Sequence, residues 1–138
     1  MPAESNTPVT IMFACRQNAG RSQIAAALMK AKAPSHVTVL SAGTTPADEV
    51  HPETITLLDE MGLPLINETP QMLTNEAVQE SDWVITMGCG ESCPIYPGKH
   101  YEDWAIQDPA GQPIETVREI RDDIERHVDD LLARVLAN

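Results

Sequence analysis

Short apolar runs alternate with helix-patterned segments along nearly the whole chain, and this alternation restricts the fold more than any single residue does. Val9-Thr10-Ile11-Met12-Phe13-Ala14 reads as a buried strand, and Ser22 to Ala33 as an alanine-rich helix stopped by Pro34. Val37-Thr38-Val39-Leu40 is a second strand, ending at Ser41-Ala42-Gly43-Thr44. Pro52 to Met61 follows as a helix with proline in its first turn and Gly62 as its stop. A short helix over Asn75 to Glu80 precedes a third strand, Trp83 to Met87, and a fourth short strand is expected near His100 to Trp104. In the last segment Ile114, Val117, Ile120, Ile124, Val128, Leu131 and Val135 recur at spacings of three and four, the apolar stripe of a long helix. Strands alternating with helices imply an α/β fold: a central four-stranded parallel sheet with helices on both faces, joined by right-handed crossovers. No repeat, low-complexity tract or linker divides the chain, so residues 1–138 are expected to form a single domain, with 1–8 a loose N-terminal extension.

In such a sheet, ligands bind outside the carboxyl ends of the strands, near a switch in strand order. Cys15, Gly43, Cys89 and the segment after Trp104 all follow expected strands and so share that edge. The segment Cys15-Arg16-Gln17-Asn18-Ala19-Gly20-Arg21-Ser22 joins the first strand to the first helix. Gly20 permits a tight backbone there, and a helix opening nearby offers unpaired N–H groups and a partial positive charge. A loop of this kind suits a tetrahedral oxyanion, and the same field favours a thiolate. Cys15 is the candidate nucleophile. Arg21 can place two parallel hydrogen bonds on an oxyanion, and Ser22 can donate one to the sulfur. Asn18 reads either as the residue that holds the loop's shape or as a plain turn residue.

The acidic balance, −12 in formal charge, argues against nucleic acid or an anionic membrane as partner. Arg16 and Arg21 keep the loop locally basic, while Asp122, Asp123, Glu125, Asp129 and Asp130 read as a solvated helix face. The N-terminal stretch is polar and no apolar run is long enough for a membrane span, so the expected compartment is the cytoplasm. There, three cysteines point to chemistry or metal before a structural disulfide.

Asp108-Pro109-Ala110-Gly111 is in isolation an ordinary turn. On the same edge as a thiolate loop, Asp108 becomes a candidate general acid for the oxygen leaving a tetrahedral centre. Cys89-Gly90-Glu91-Ser92-Cys93-Pro94 places two thiols four residues apart. They can close a small disulfide ring if the backbone bends, share a zinc ion with His100, or lie inert in the core. A third thiol at the same edge favours the redox reading. His51, before Pro52, reads as a helix-start or packing residue rather than a ligand.

Together, Cys15-x-x-Asn18-x-x-Arg21-Ser22-Gln23, Ser41-Ala42-Gly43-Thr44, Met87-Gly88-Cys89-Gly90-x-x-Cys93-Pro94, Trp104 and Asp108-Pro109-x-Gly111 carry a resemblance. The chain resembles the arsenate reductases built on the low-molecular-weight tyrosine phosphatase fold, from Phe13 to the last helix. The resemblance implies a flavodoxin-like sheet and an oxyanion loop made by Arg16, Gln17, Asn18, Ala19, Gly20 and Arg21. It implies that Cys15 attacks arsenate, that Asp108 protonates the departing oxygen, and that Cys89 then attacks Cys15 and releases arsenite. Cys93 would take the disulfide on, leaving a Cys89–Cys93 pair for an external reductant. Thioredoxin is one such reductant. The compact Cys89-x3-Cys93 spacing is closer to an actinobacterial-type branch, which makes mycothiol with a mycoredoxin the other. Phosphate and sulfate are expected to compete with arsenate. No tightly bound cofactor or metal is implied, a monovalent cation near Asn18 being the exception to test. The alternatives are a tyrosine phosphatase hydrolysing phosphomonoesters on Cys15, an enzyme joining mycothiol to arsenate, and a non-catalytic oxyanion sensor. Against a phenolic substrate, Asp108-Pro109 is followed by Ala-Gly-Gln-Pro, with no aromatic residue.

Overall fold

Four strands form one parallel sheet in the order β2-β1-β3-β4 in the computed structural model, which describes residues 7–67, 69–88 and 98–137. The strands are β1 (Val9–Cys15), β2 (Val37–Gly43), β3 (Trp83–Met87) and β4 (His100–Asp103). The helices are α1 (Arg21–Lys32), α2 (Pro52–Met61), α3 (Asn75–Glu80) and α4 (Ile114–Ala137). Both β1 and its edge neighbour β2 run further than their apolar runs imply. Cys15 closes β1, paired with Gly43 on one side and Met87 on the other, because the small residues Ser41, Ala42 and Gly43 continue the ladder. One residue earlier than expected, α1 opens at Arg21.

Side-chain alternation divides the core. Ile11, Phe13 and Cys15 of β1 and Trp83, Ile85 and Met87 of β3 face α1 and the α4 stripe, where Val117, Ile120, Ile124, Val128, Leu131 and Val135 are buried. Met12 and Val84 face the other way, onto Val78 of α3. Three helices therefore cover one face, with α2 resting on α1 and α4, and α3 covers the other. Within α1 every residue from Ser22 to Met29 is buried, so this helix is enclosed on all sides, and its alanines let the neighbours approach closely.

The acidic residues of α4 lie on its outer face as expected, and Lys32 of α1 pairs with two of them, Glu125 at 2.9 Å and Asp129 at 2.7 Å. Among the described residues no helix is long and apolar enough to cross a membrane. The loose extension expected over 1–8 falls mostly outside the described residues, as do Cys89 and Cys93.

The chain leaves β1 toward β2 on one side and reaches β3 on the other, so the strand order switches beside β1. The carboxyl end of β1 is the end that carries Cys15.

Candidate active site

Peptide planarity fixes the aim of the loop after β1. The carbonyls of Cys15, Arg16, Gln17 and Ala19 accept hydrogen bonds from the amides of Thr44, Thr45, Ala47 and His51, at 2.7 to 3.2 Å. In a trans peptide the N–H of the next residue points the opposite way. The amides of Arg16, Gln17, Asn18 and Gly20 are thus turned inward. Asn18 shows the result directly: its N–H lies 3.2 Å from Cys15 Sγ. Gly43 makes this anchoring possible. A Cβ there would stand 2.7 to 2.9 Å from backbone atoms of Arg16, Gln17 and Asn18.

A buried side-chain network sets the loop's curvature. Asn18 has φ 52°, in the left-handed region that asparagine tolerates better than most residues. Its side-chain amide donates to Ser22 Oγ at 2.8 Å and to Ser41 Oγ. Its side-chain oxygen accepts from Asn67 Nδ2 at 3.0 Å and from the Gln71 amide at 2.9 Å. Ser22 Oγ, already an acceptor from Asn18, lies 3.0 Å from Cys15 Sγ, and its free hydrogen is the one available to the sulfur. Cys15, 2% exposed, therefore has two donors aimed at its sulfur, an arrangement that stabilises negative charge there.

Above the sulfur opens a pocket of about 310 Å³, lined by Cys15, Arg16, Gln17, Gly20, Arg21, His51, Gly88 and Asp108. Arg21 is held by the carbonyl of Ile106 at 3.3 Å and faces Asp108 at 3.8 Å. Gly88, at φ 86°, leaves the room this needs, since a Cβ there would lie 2.5 Å from Arg21 Nη1. Arg16 is exposed and lines the rim without entering an ion pair among the described residues.

Asp108 arrives from the opposite side. Trp104 packs on Phe13, with ring centroids 5.8 Å apart, and Ile106 is buried, so the chain is anchored just before the acid. Beyond that anchor Asp108 Oδ1 accepts from the Ala110 amide at 3.0 Å, and the side chain is 55% exposed. Pro109 lies against the oxyanion loop, where a Cβ on Gly20 would meet its Cγ at 3.2 Å.

The residues read as one site from the sequence thus converge where described: Cys15, Arg16, Gln17, Gly20, Arg21 and Asp108 line one pocket, and Asn18 and Ser22 support it from below. Ala19 is buried in the loop wall. Three participants went unread. His51 is the residue before α2, as expected, but it also lines the pocket, and its buried Nδ1 has no hydrogen-bond partner among the described residues, the nearest carboxylate being Glu53 at 3.9 Å. Asn67 and Gln71 reach Asn18 from 49 and 53 residues away, in a segment without periodicity or motif to mark it. His100, the third ligand in the zinc reading, stacks on Trp83 at 4.1 Å at the amino end of β3 and β4, the end of the sheet opposite Cys15.

Comparisons with known proteins place the chain in a family. The family described as low molecular weight phosphotyrosine protein phosphatase matches residues 10–138. A Halobacterium salinarum protein that carries an arsenate reductase name is 40% identical over 136 residues, 95% of this chain and 94% of its own length. The glutaredoxin arsenate reductase of Synechocystis is 31% identical over 128 residues, 91% of this chain and 97% of its own. The solved thioredoxin-dependent arsenate reductase of Corynebacterium glutamicum superposes with a TM-score of 0.81 at 41% identity, over 94% of this chain. This chain spans 62% of that protein's length.

Proposed function

Because this chain belongs to the low molecular weight phosphotyrosine protein phosphatase family, with arsenate reductases among its relatives, we propose that it reduces arsenate to arsenite through its three thiols. The observation that carries the proposal is Cys15 Sγ, buried and held by Asn18 N–H and Ser22 Oγ beneath a pocket that also receives Arg21 and Asp108. Arsenate enters with its oxygens on the inward amides and on Arg21. Cys15 thiolate attacks arsenic, and Asp108 gives its proton to the departing oxygen, which leaves as water. Cys89 thiolate then attacks Cys15 Sγ. The S–As electron pair stays on arsenic, which departs as arsenite, and a Cys15–Cys89 disulfide remains. Cys93 attacks Cys89, frees Cys15 and leaves Cys89–Cys93. Two thiols supply the two electrons, and an external dithiol restores them.

Among the described lining residues there is no Phe, Tyr or Trp to grip a phenolic ring, which favours the small oxyanion over a phosphotyrosine. A thioredoxin- or glutaredoxin-type protein is the reductant we favour, on the names of two relatives, with mycothiol and a mycoredoxin as the alternative donor. A reducing cytoplasm would keep all three thiols available.

The test is arsenate-dependent NADPH oxidation coupled to a thioredoxin system and, separately, to mycothiol with a mycoredoxin. Wild type should turn over, whereas Cys15→Ser, Cys89→Ser and Cys93→Ser should not in the thioredoxin system. Absence of turnover with every donor would refute the reductase reading. Survival of Cys93→Ser with mycothiol alone would move the chemistry to adduct formation.

A further inference from the structure

A cation near Asn18 needs oxygen atoms free to ligate it, and the geometry points to the opposite arrangement. We infer that Asn67 is a positioning residue whose side-chain amide occupies the place of a loop-ordering cation, so that the oxyanion loop keeps its shape without a monovalent ion.

Both hydrogens of Asn67 Nδ2 are used, one toward Asn18 Oδ1 at 3.0 Å and one toward the Ser41 carbonyl at 2.6 Å. Asn18 Oδ1 takes its second hydrogen bond from the Gln71 amide, which fills both of its lone pairs. Gln23 Nε2 donates to the Asn18 and Asn67 carbonyls, each at 3.0 Å, and Gln23 Oε1 accepts from the Asn67 amide at 3.5 Å. The two serine hydroxyls nearby, Ser22 and Ser41, receive the hydrogens of Asn18 Nδ2. The oxygens around Asn18 therefore face N–H donors, and no carboxylate among the described residues joins them. A cation placed there would meet the positive ends of these dipoles.

The network closes on itself through three side-chain amides, each with both hydrogens bonded. Neutral donors do the work of a positive charge: they pull the Asn18 side-chain oxygen and the Ser41 carbonyl toward one point. Through Asn18 that point is tied to Ser22 and so to the sulfur of Cys15. Asn67 touches neither sulfur nor pocket, so it acts through Asn18.

The experiment measures thermal midpoint and arsenate kcat and KM for wild type, Asn67→Ala and Asn67→Asp in potassium, sodium or tetramethylammonium chloride at one ionic strength. The thermal readout, with and without inorganic phosphate, holds whichever oxyanion the enzyme turns over, so it can fail independently of the proposed function. For wild type the midpoints should coincide across the salts and kcat/KM should agree within about twofold, because a cation bound at about 100 times its Kd would raise the midpoint by roughly 5–10 °C. Asn67→Ala should raise KM about tenfold in every salt, as expected when buried acceptors lose their donors. Asn67→Asp removes the donors and adds a carboxylate, so its KM defect should be largest in tetramethylammonium and substantially relieved by potassium or sodium. A wild type activated and stabilised by potassium would overturn the inference. So would an Asn67→Asp variant equally impaired in all three salts.

Discussion

Two loops meet over Cys15, and they are built on opposite principles. The loop from Cys15 to Ser22 is fixed by four backbone carbonyls bound to residues 44–51 and by a saturated amide network beneath it. The loop carrying Asp108 is anchored at Trp104 and Ile106 and then held lightly. Asp108 makes a turn bond to Ala110, Gly111 donates to Glu53 at 3.4 Å, and the acid stands 3.8 Å from Arg21. Under the proposed mechanism the contrast separates two tasks. Stabilising an oxyanion rewards dipoles that need not reorganise, whereas delivering a proton requires a group that can follow the departing oxygen.

The contrast is broken most severely at Gly43. Gly43→Ala forces a Cβ into the backbone of the oxyanion loop, and kcat/KM for arsenate should fall about 10³-fold, with phosphate protection of the fold lost in a thermal shift assay. Asp108→Asn tests the other loop. It should lower kcat by about 10²-fold while the affinity for phosphate, measured by competition, changes less than about threefold. A loss of anion binding in that variant would mean that the acid loop also shapes the oxyanion site. Glu53→Ala removes the acceptor for Gly111, and the acid loop should lose under about 1 kcal/mol of restraint, seen as a kcat reduced no more than about fivefold.

The smallest effect lies below Trp104, where the acid loop is rooted. The Arg134 guanidinium, hydrogen-bonded to Glu102, holds that carboxyl below its usual range, with Trp104 Nε1 helping at 3.0 Å and partial burial opposing. A depressed carboxylate contributes stability that is present above its unfolded value, about 4.3, and lost as pH falls through the folded one. Glu102→Gln should therefore cost up to about 1 kcal/mol in denaturant unfolding at pH 7, and the difference from wild type should shrink as pH falls below that unfolded value.

The sequence and the structure part company along the same line. Strands and helices were legible because a buried sheet writes continuous apolar runs and α4 writes a stripe with a helical period. The thiolate loop was legible because Cys15 to Ser22 is contiguous, and Asp108 because a Pro and a Gly mark its turn. Asn67 and Gln71 were not, since their parts depend on contacts with Asn18 made across 49 and 53 residues. Gly88 stands in the sequence only as part of the motif that carries the resemblance, and the position of Arg21 reveals that it leaves space for a side chain. His51 was placed correctly at the start of α2, yet its share in the pocket follows from the loop bond between its amide and Ala19, which no local pattern encodes.

The central claim, that a rigid oxyanion loop presents an arsenic adduct to two further thiols, is tested most directly in a single turnover. Fully reduced protein is mixed anaerobically with excess arsenate and no external reductant, then quenched for arsenite and free thiols. The account expects one arsenite per chain and a fall from three titratable thiols to one, with neither change in Cys15→Ser. Three thiols intact and no arsenite formed would contradict it.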